Sequence, residues 1–231
     1  RLGTDYLDLY QMHYPNRVMP WGSNPTRFNI KEFAKNEGDD NFHEVLETLQ
    51  GFVKAGKLRH FGLSNEGAWG TMKFLFEAEK TGYPRVASVQ NAYNLLNRTY
   101  DTNMAELFVR EDVGLLAYSP LGQGFITGKY LDGALPPGAR TTLFNRGQRY
   151  QRPGVEDAVR GYMGIAKEAG LDIAVLASAF VNSRPFVTSN IIGATSMAQL
   201  KLAISTKDVK LSDDILAKID AVHQLRGNPA P

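Results

Sequence analysis

The sequence contains no cysteine. That excludes disulfides, thiolate zinc sites, iron–sulfur ligation and a cysteine nucleophile within it, and it is compatible with a reducing cytosol. Charge of one sign is also lacking: 26 Lys and Arg against 24 Asp and Glu leave a net +2. This is not the concentrated basic face of a nucleic-acid binder, and no nucleic-acid partner is expected. Long hydrophobic runs are missing too. The longest, Ile173 to Val181, is about half of the roughly 20 residues that span a bilayer, so no membrane partner is expected. Histidine is scarce, and His13, His43, His60 and His223 include no pair at metal-ligand spacing, so no zinc or iron site is expected. The 231 residues open without methionine or a signal-peptide pattern and run within a few positions into the strand-like Tyr6–Met12. We read this as a chain whose beginning is missing. What remains is 43% hydrophobic and 22% charged, with 12 Phe and 10 Tyr, a globular composition that rules out a disordered or collagenous chain.

Five β-type runs stand out: Tyr6–Met12, Leu58–Leu63, Val86–Gln90, Gly114–Tyr118 and Val187–Ile192. Helical patterns separate them. Asn41–Gly56 places Phe42, Val45, Leu46, Leu49 and Val53 at three-and-four spacing before a glycine stop. Gly67–Gly82, Asp101–Asp112, Pro153–Gly170, Asp172–Ser183, Ser196–Ile204 and Ser212–Leu225 follow. The middle strands start 28 residues apart, the size of a strand–helix unit feeding a parallel sheet. The architecture predicted is βαβα, without a composition shift that marks a domain boundary. Two long connections, Tyr14–Asp40 and Tyr130–Arg152, follow strand C-termini, the end where α/β folds place their sites; loops of that length are functional or disordered.

Gly122-Gln-Gly124-Phe-Ile-Thr-Gly128-Lys129 invites a phosphate-loop reading. The glycine spacing fits neither the Walker loop nor the dinucleotide fingerprint, where Thr127 takes the place of the third glycine. A backbone-amide anion site beside Lys129 remains physically reasonable. Polar residues at strand ends form the stronger pattern: His13 ends the first run, Ser64-Asn65 follow the second, Gln90-Asn91 end the third and Tyr118-Ser119 the fourth. Such a rim can bind a flat polar ring bearing an amide, with Tyr118 stacking while Asn65 and Gln90 hydrogen-bond; ordinary loop polarity is the alternative.

These residues resemble a known family. Leu2-Gly3-Thr4-Asp5-Tyr6-Leu7-Asp8-Leu9-Tyr10-Gln11-Met12-His13 is similar to the fourth-strand signature of aldo-keto reductases, and Gly56–Asn65 to the segment around their fifth strand. Ala117–Gly124, Thr127–Tyr130 and Ile192–Leu200 resemble their cofactor segments. The likeness runs in order along essentially the whole chain. It is strongest to the bacterial Tas-like branch, related to potassium-channel β subunits, supported by Gln90–Arg98 and the Pro229-Ala230-Pro231 ending.

The resemblance implies a (β/α)8 TIM barrel of which this chain supplies the C-terminal portion, strands 4–8, as a single domain over 1–231 with the N-terminal three βα units missing. It implies a cytoplasmic NADPH-dependent oxidoreductase that reduces a small carbonyl substrate, an aldehyde or ketone, by hydride transfer. An NADPH-binding regulatory subunit is the alternative. Of the family's Asp, Tyr, Lys and His tetrad only His13 has a counterpart here, so the chain alone is expected to be inactive. Ser64, Asn65 and Gln90 would hold the carboxamide and Tyr118 would stack on the nicotinamide. Ser119, Leu121, Gly122, Gly124 and Lys129 would line the pyrophosphate, with Arg140 closing over it. Gly193, Thr195 and Gln199 would grip the adenosine end with its 2′-phosphate. The chain departs from the family pattern at Thr195, where serine is common, at Ala203, where asparagine is usual, and at Leu202, which replaces a frequent acidic residue. The resemblance leaves substrate identity and oligomeric state open.

Overall fold

The computed structural model describes residues 2–17, 19, 30–33 and 41–231. The chain divides into two compact units, Arg1–Asn91 with Asp101–Leu116, and Ala92–Tyr100 with Ala117–Pro231. Much of the expected Tyr14–Asp40 connection lies outside the described residues, which retain Tyr14–Arg17, Met19 and a one-turn helix α1 (Ile30–Phe33).

In the first unit, β1 (Leu7–Met12) pairs in parallel with β2 (Leu58–Ser64), and β2 pairs in parallel with β3 (Val86–Ala92). Parallel neighbours require crossovers, and α2 (Phe42–Lys54) and α3 (Ala68–Thr81) supply them. The apolar spacing read from the sequence becomes a face of α2 with Leu46 and Leu49 buried. On α3, where that spacing would turn Met72, Leu75 and Phe76 inward, the buried apolar side chains are Phe74, Leu75 and Ala78, and Phe76 is exposed. Phe61 of β2 is fully buried and meets Phe74 with ring centres 6.2 Å apart, while Phe42 meets the same ring edge-on at 4.8 Å. Gly82 closes α3 in the left-handed conformation, φ 71°, its N–H donating to the Ala78 carbonyl at 2.8 Å. The start of β4 (Gly114–Tyr118) follows β3 in the sheet.

The second unit takes the end of β4, then α7 (Val155–Glu168), α8 (Ile173–Asn182), β5 (Val187–Ile191), α9 (Met197–Ser205) and α10 (Asp213–Arg226). The apolar run beginning at Ile173 is a core helix. Asp172 caps it by accepting from the Ala174 N–H at 2.7 Å, and every residue from Ala174 to Val181 is buried. Phe180 stacks on Tyr93 at 5.9 Å, and Tyr93 meets Phe186 edge-on at 5.3 Å. Among the described residues no helix is long and apolar enough to cross a membrane.

Two expectations are revised. The helix predicted over 101–112 is two, α4 (Thr99–Asn103) and α5 (Ala105–Glu111). The Asn97 side-chain Oδ1 accepts from the Thr99 N–H at 3.2 Å and hydroxyl at 2.8 Å, starting the first helix early, and Met104 leaves helical geometry at φ −125°. The connection Tyr130–Arg152 is ordered rather than loose. It holds two 3₁₀ turns and α6 (Arg140–Phe144). Buried Thr141 ties it together, its hydroxyl donating to the Arg146 carbonyl at 2.7 Å and its N–H to the Tyr130 hydroxyl at 3.2 Å. Phe125 packs on Tyr130 at 4.5 Å and on Tyr150 at 5.8 Å, giving the loop an aromatic core that sequence period cannot reveal.

Tyr162 of α7 donates its hydroxyl to the Leu95 carbonyl at 3.0 Å, and burial pushes its phenol up to about 12. An unfolded tyrosine ionises near about 10. Its folded value is raised, so the stability it contributes is whole below about pH 10 and is lost as pH climbs toward 12. Tyr162→Phe should therefore show a flatter alkaline fall in thermal midpoint than the wild type, a difference on the order of 2 kcal/mol across that window. Equal alkaline slopes would place the phenol in water instead.

Candidate functional site

In the first unit the register decides which side chains share a face. Gln11 lies opposite Gly62, and Ser64 opposite Gln90. Side chains two apart on a strand point the same way, so these four occupy one face, away from the helix-packed Phe61 and Leu63. The ends of the strands are joined by side-chain hydrogen bonds. The Ser64 hydroxyl donates to the Gln90 carbonyl at 2.9 Å, and the Gln90 Nε2 donates to Gln11 Oε1 at 2.8 Å. Asn65 adopts the left-handed conformation, φ 54°, which turns the chain at the end of β2. Its Nδ2 reaches the His13 carbonyl at 2.8 Å and Ser64 Oγ at 3.1 Å. His13, Ser64, Asn65 and Gln90 are thus brought into one hydrogen-bonded group. The His13 ring is exposed, 5.1 Å from Tyr14.

An ion pair fastens the segment after His13. Arg17 grips Glu66 through both guanidinium nitrogens, Nη1 to Oε2 at 2.9 Å and Nη2 to Oε1. The side chains are 12% and 3% exposed. Glu66 Oε1 also accepts from the Gly67 N–H at 2.7 Å, and the Glu66 carbonyl accepts from Asn91 Nδ2 at 2.8 Å. The guanidinium lies 5.0 Å from the Trp69 ring centre. None of Arg17, Glu66 and Gln11 is among the candidate site residues read from the sequence. Their partners are 49 and 79 residues away. Gln11 stands among Leu9, Tyr10 and Met12 of β1 and faces Gly62 across the sheet.

A cavity of about 520 Å³ in this unit does not coincide with these polar groups. It is apolar and lies between β1 and α2, against Tyr6, Leu7, Tyr10, Val45, Leu49 and Phe52.

In the second unit, Tyr118 ends β4 half-buried, and Ser119 turns the chain with φ 59°. The Ser119 carbonyl accepts from Asn94 Nδ2 and from the Gly122 N–H, both at 2.9 Å, and the Leu121 carbonyl accepts from the Gly124 N–H at 2.8 Å. Gly122, Gln123 and Gly124 are all left-handed, φ 55°, 55° and 96°, which explains two glycines in three residues. Gly124 also leaves room for Lys129, since a Cβ there would sit 2.9 Å from Lys129 Nζ. Lys129 is exposed and its ammonium lies 5.2 Å from the Tyr130 ring centre. Burial alone would raise the Tyr130 phenol; the hydrogen bonds from Thr141 and the Lys129 charge outweigh it and hold the phenol below its ordinary value. Arg140 opens α6 and is exposed.

Gly193, Thr195 and Gln199 are exposed around the start of α9. Gln199 Oε1 accepts from the Thr195 N–H at 2.8 Å and hydroxyl at 3.1 Å, while Ser196 Oγ accepts from the Gln199 N–H at 3.3 Å. Ser196 caps the helix at Gln199, while the Gln199 side chain reaches back past Ser196 to Thr195, a variant of the Ser-x-x-Gln cap. The structure thus gives Gln199 a helix-capping duty alongside the expected one.

Two observations bear on whether a nicotinamide nucleotide fits. Gln11 Nε2 and Ser88 Oγ in the first unit are buried donors without a hydrogen-bond partner, which an amide or carbonyl oxygen would satisfy. Lys129, in the space that Gly124 leaves, is placed to meet a phosphate. Among the described residues no group of His, Asp or Glu could hold a metal ion. Gln11, Ser88 and Lys129, each within its own unit, have the chemistry that a carboxamide and a phosphate call for.

The pattern of the aldo/keto reductase family matches residues 1–224. The chain is 46% identical to "Protein tas" of Escherichia coli over all of its own length and 66% of that protein's. It is 36% identical to an "Aldo-keto reductase" of Babesia bovis, over 96% of this chain and 82% of that one. It is 29% identical to a "Probable voltage-gated potassium channel subunit beta" of Arabidopsis thaliana, over 97% and 64%. The fold is that of the glycerol dehydrogenase AKR11B4 from Gluconobacter oxydans, with a TM-score of 0.72 at 21% identity, over 98% of this chain and 61% of that one. The chain therefore spans about two-thirds of the length of several relatives and belongs to the aldo/keto reductase family.

Proposed function

We propose that this chain serves an NADPH-dependent reduction of a small aldehyde or ketone to an alcohol, in the cytoplasm. The observation that carries the reading is the Asn65 side chain, which ties the His13 carbonyl at the end of β1 to Ser64 at the end of β2. The expected partner of a carbonyl oxygen and the expected holders of a carboxamide thereby share one hydrogen-bonded group. Ser64, Asn65 and Gln90 would hold the carboxamide, and Tyr118 would stack on the ring. Ser119, Leu121, Gly122, Gly124, Lys129 and Arg140 would meet the pyrophosphate, and Gly193, Thr195 and Gln199 the adenosine end. Bound in its reduced form, the nicotinamide supplies a hydride to the carbonyl carbon. His13 would donate a hydrogen bond to the carbonyl oxygen, orienting it and stabilising the negative charge that develops there. The five strands of the described residues would form part of the eight of a closed (β/α)8 barrel.

The test is a titration of the full-length protein with NADPH, followed by turnover with a reactive aldehyde. Tight binding with consumption of NADPH supports the reading; absence of binding sinks it. Tyr118→Ala should weaken NADPH binding by about 1–2 kcal/mol through lost stacking and burial. An unchanged dissociation constant would remove Tyr118 from the site. The likeness to a potassium-channel subunit favours a second reading, a nucleotide-binding regulatory subunit. NADPH binding with negligible turnover would select it.

A further inference from the structure

We propose that Gln11 is a positioning residue for the cofactor's carboxamide, holding Gln90 by its donor end so that Gln90 offers the carboxamide a carbonyl. The proposal rests on the nicotinamide reading of the strand ends. β2 lies between β1 and β3, and Gly62 is the residue of β2 opposite Gln11. Gly62 has no side chain to stand between them, and a Cβ there would come within 2.7 Å of Ser88 Oγ and 2.8 Å of the Ser88 carbonyl oxygen. Across this gap Gln90 Nε2 donates to Gln11 Oε1 at 2.8 Å, bridging two strands that are not neighbours.

The bridge has two chemical consequences. A glutamine amide carries one carbonyl oxygen and one amino group. With one N–H of Nε2 held by Gln11, the Gln90 amide is fixed in orientation and its Oε1 is offered to a ligand as an acceptor suited to an amide N–H. Gln11, with Oε1 engaged, retains Nε2, which is buried and has no hydrogen-bond partner. Ser88 Oγ, on the other side of Gly62 and on the same face, is a second buried donor without a partner. A native interior seldom leaves such groups unsatisfied. An acceptor from Gln90 and a donor from Ser88 are the complement of a primary carboxamide, which has both an N–H and a carbonyl. They are a poor complement of a methyl ketone, which has only the carbonyl.

The experiment compares dissociation constants for NADPH and for its 3-acetylpyridine analogue, in which a methyl ketone replaces the carboxamide. Wild type, Gln11→Met and Gln11→Glu are measured in the full-length protein, with thermal midpoints to confirm folding. The wild type should prefer NADPH. Gln11→Met, similar in size but unable to hold Gln90, should lose about threefold to tenfold of that preference. Gln11→Glu still accepts from Gln90 Nε2 and should recover most of it; a residue that merely filled space would show no such rescue. The same preference in all three folded proteins would overturn the proposal and leave the nicotinamide reading intact. Failure of the wild type to bind either nucleotide would overturn that reading and this proposal with it. Should Gln11→Met not fold, Gln11→Ala set against Gln11→Glu supplies the same contrast.

Discussion

Glu66→Ala is expected to destabilise the protein by about 3 kcal/mol, the low end of the cost of breaking a buried ion pair. Surface pairs are worth far less, because water competes for both partners. Here Glu66 is 3% exposed and Arg17 12%. Removing the carboxylate leaves the Arg17 guanidinium between Trp69 and Phe42, 5.0 and 6.0 Å from their ring centres, with neither a counter-charge nor full hydration. It also removes the acceptor of the Gly67 N–H. Some water reaches Arg17, which places the cost at the low end. Replacing both residues, Arg17→Met with Glu66→Met, should recover much of the loss, since no charge is then stranded. Urea unfolding midpoints of the three proteins measure this. A cost below about 1 kcal/mol for Glu66→Ala would mean that the pair is solvated.

His13→Ala is expected to lower turnover by about 10²–10³-fold, the usual cost of losing one donor to a developing oxyanion. NADPH affinity should change little, because the His13 backbone carbonyl, which Asn65 holds, remains in the variant. The same loss should appear with every carbonyl substrate, because the contact is to the oxygen they share. Loss of cofactor affinity with normal turnover at saturation would contradict the assigned role.

Much of the fold is written locally. Gly114–Tyr118 has the bounds read from the sequence, and β1, β2, β3 and β5 lie within one or two residues of theirs, since strand period and flanking turn residues depend on near neighbours. Ser64, Asn65 and Gln90 were legible because parallel strands present their C-terminal ends on one side. Features made by distant contacts were not. The ordered stretch from Tyr130 to Tyr150 depends on the packing of Phe125 against two tyrosines. The early start of α4 is local by contrast, made by the Asn97 side chain two residues before Thr99, and the helical period carries no sign of it. The Arg17–Glu66 pair and the Gln11–Gln90 bridge join residues on different strand–helix units, and no spacing rule within one unit announces them. The cap that Ser196 makes with the Gln199 N–H is of a kind that local spacing specifies.

Transfer of deuterium tests the central claim most directly. The full-length protein is given NADPH carrying deuterium at the transferable position of the nicotinamide, together with a reactive aldehyde, and the product is examined by mass spectrometry. The account predicts an alcohol with one deuterium on the former carbonyl carbon, formed in step with nucleotide oxidation. Nucleotide bound and not oxidised, or an alcohol without deuterium, would contradict it.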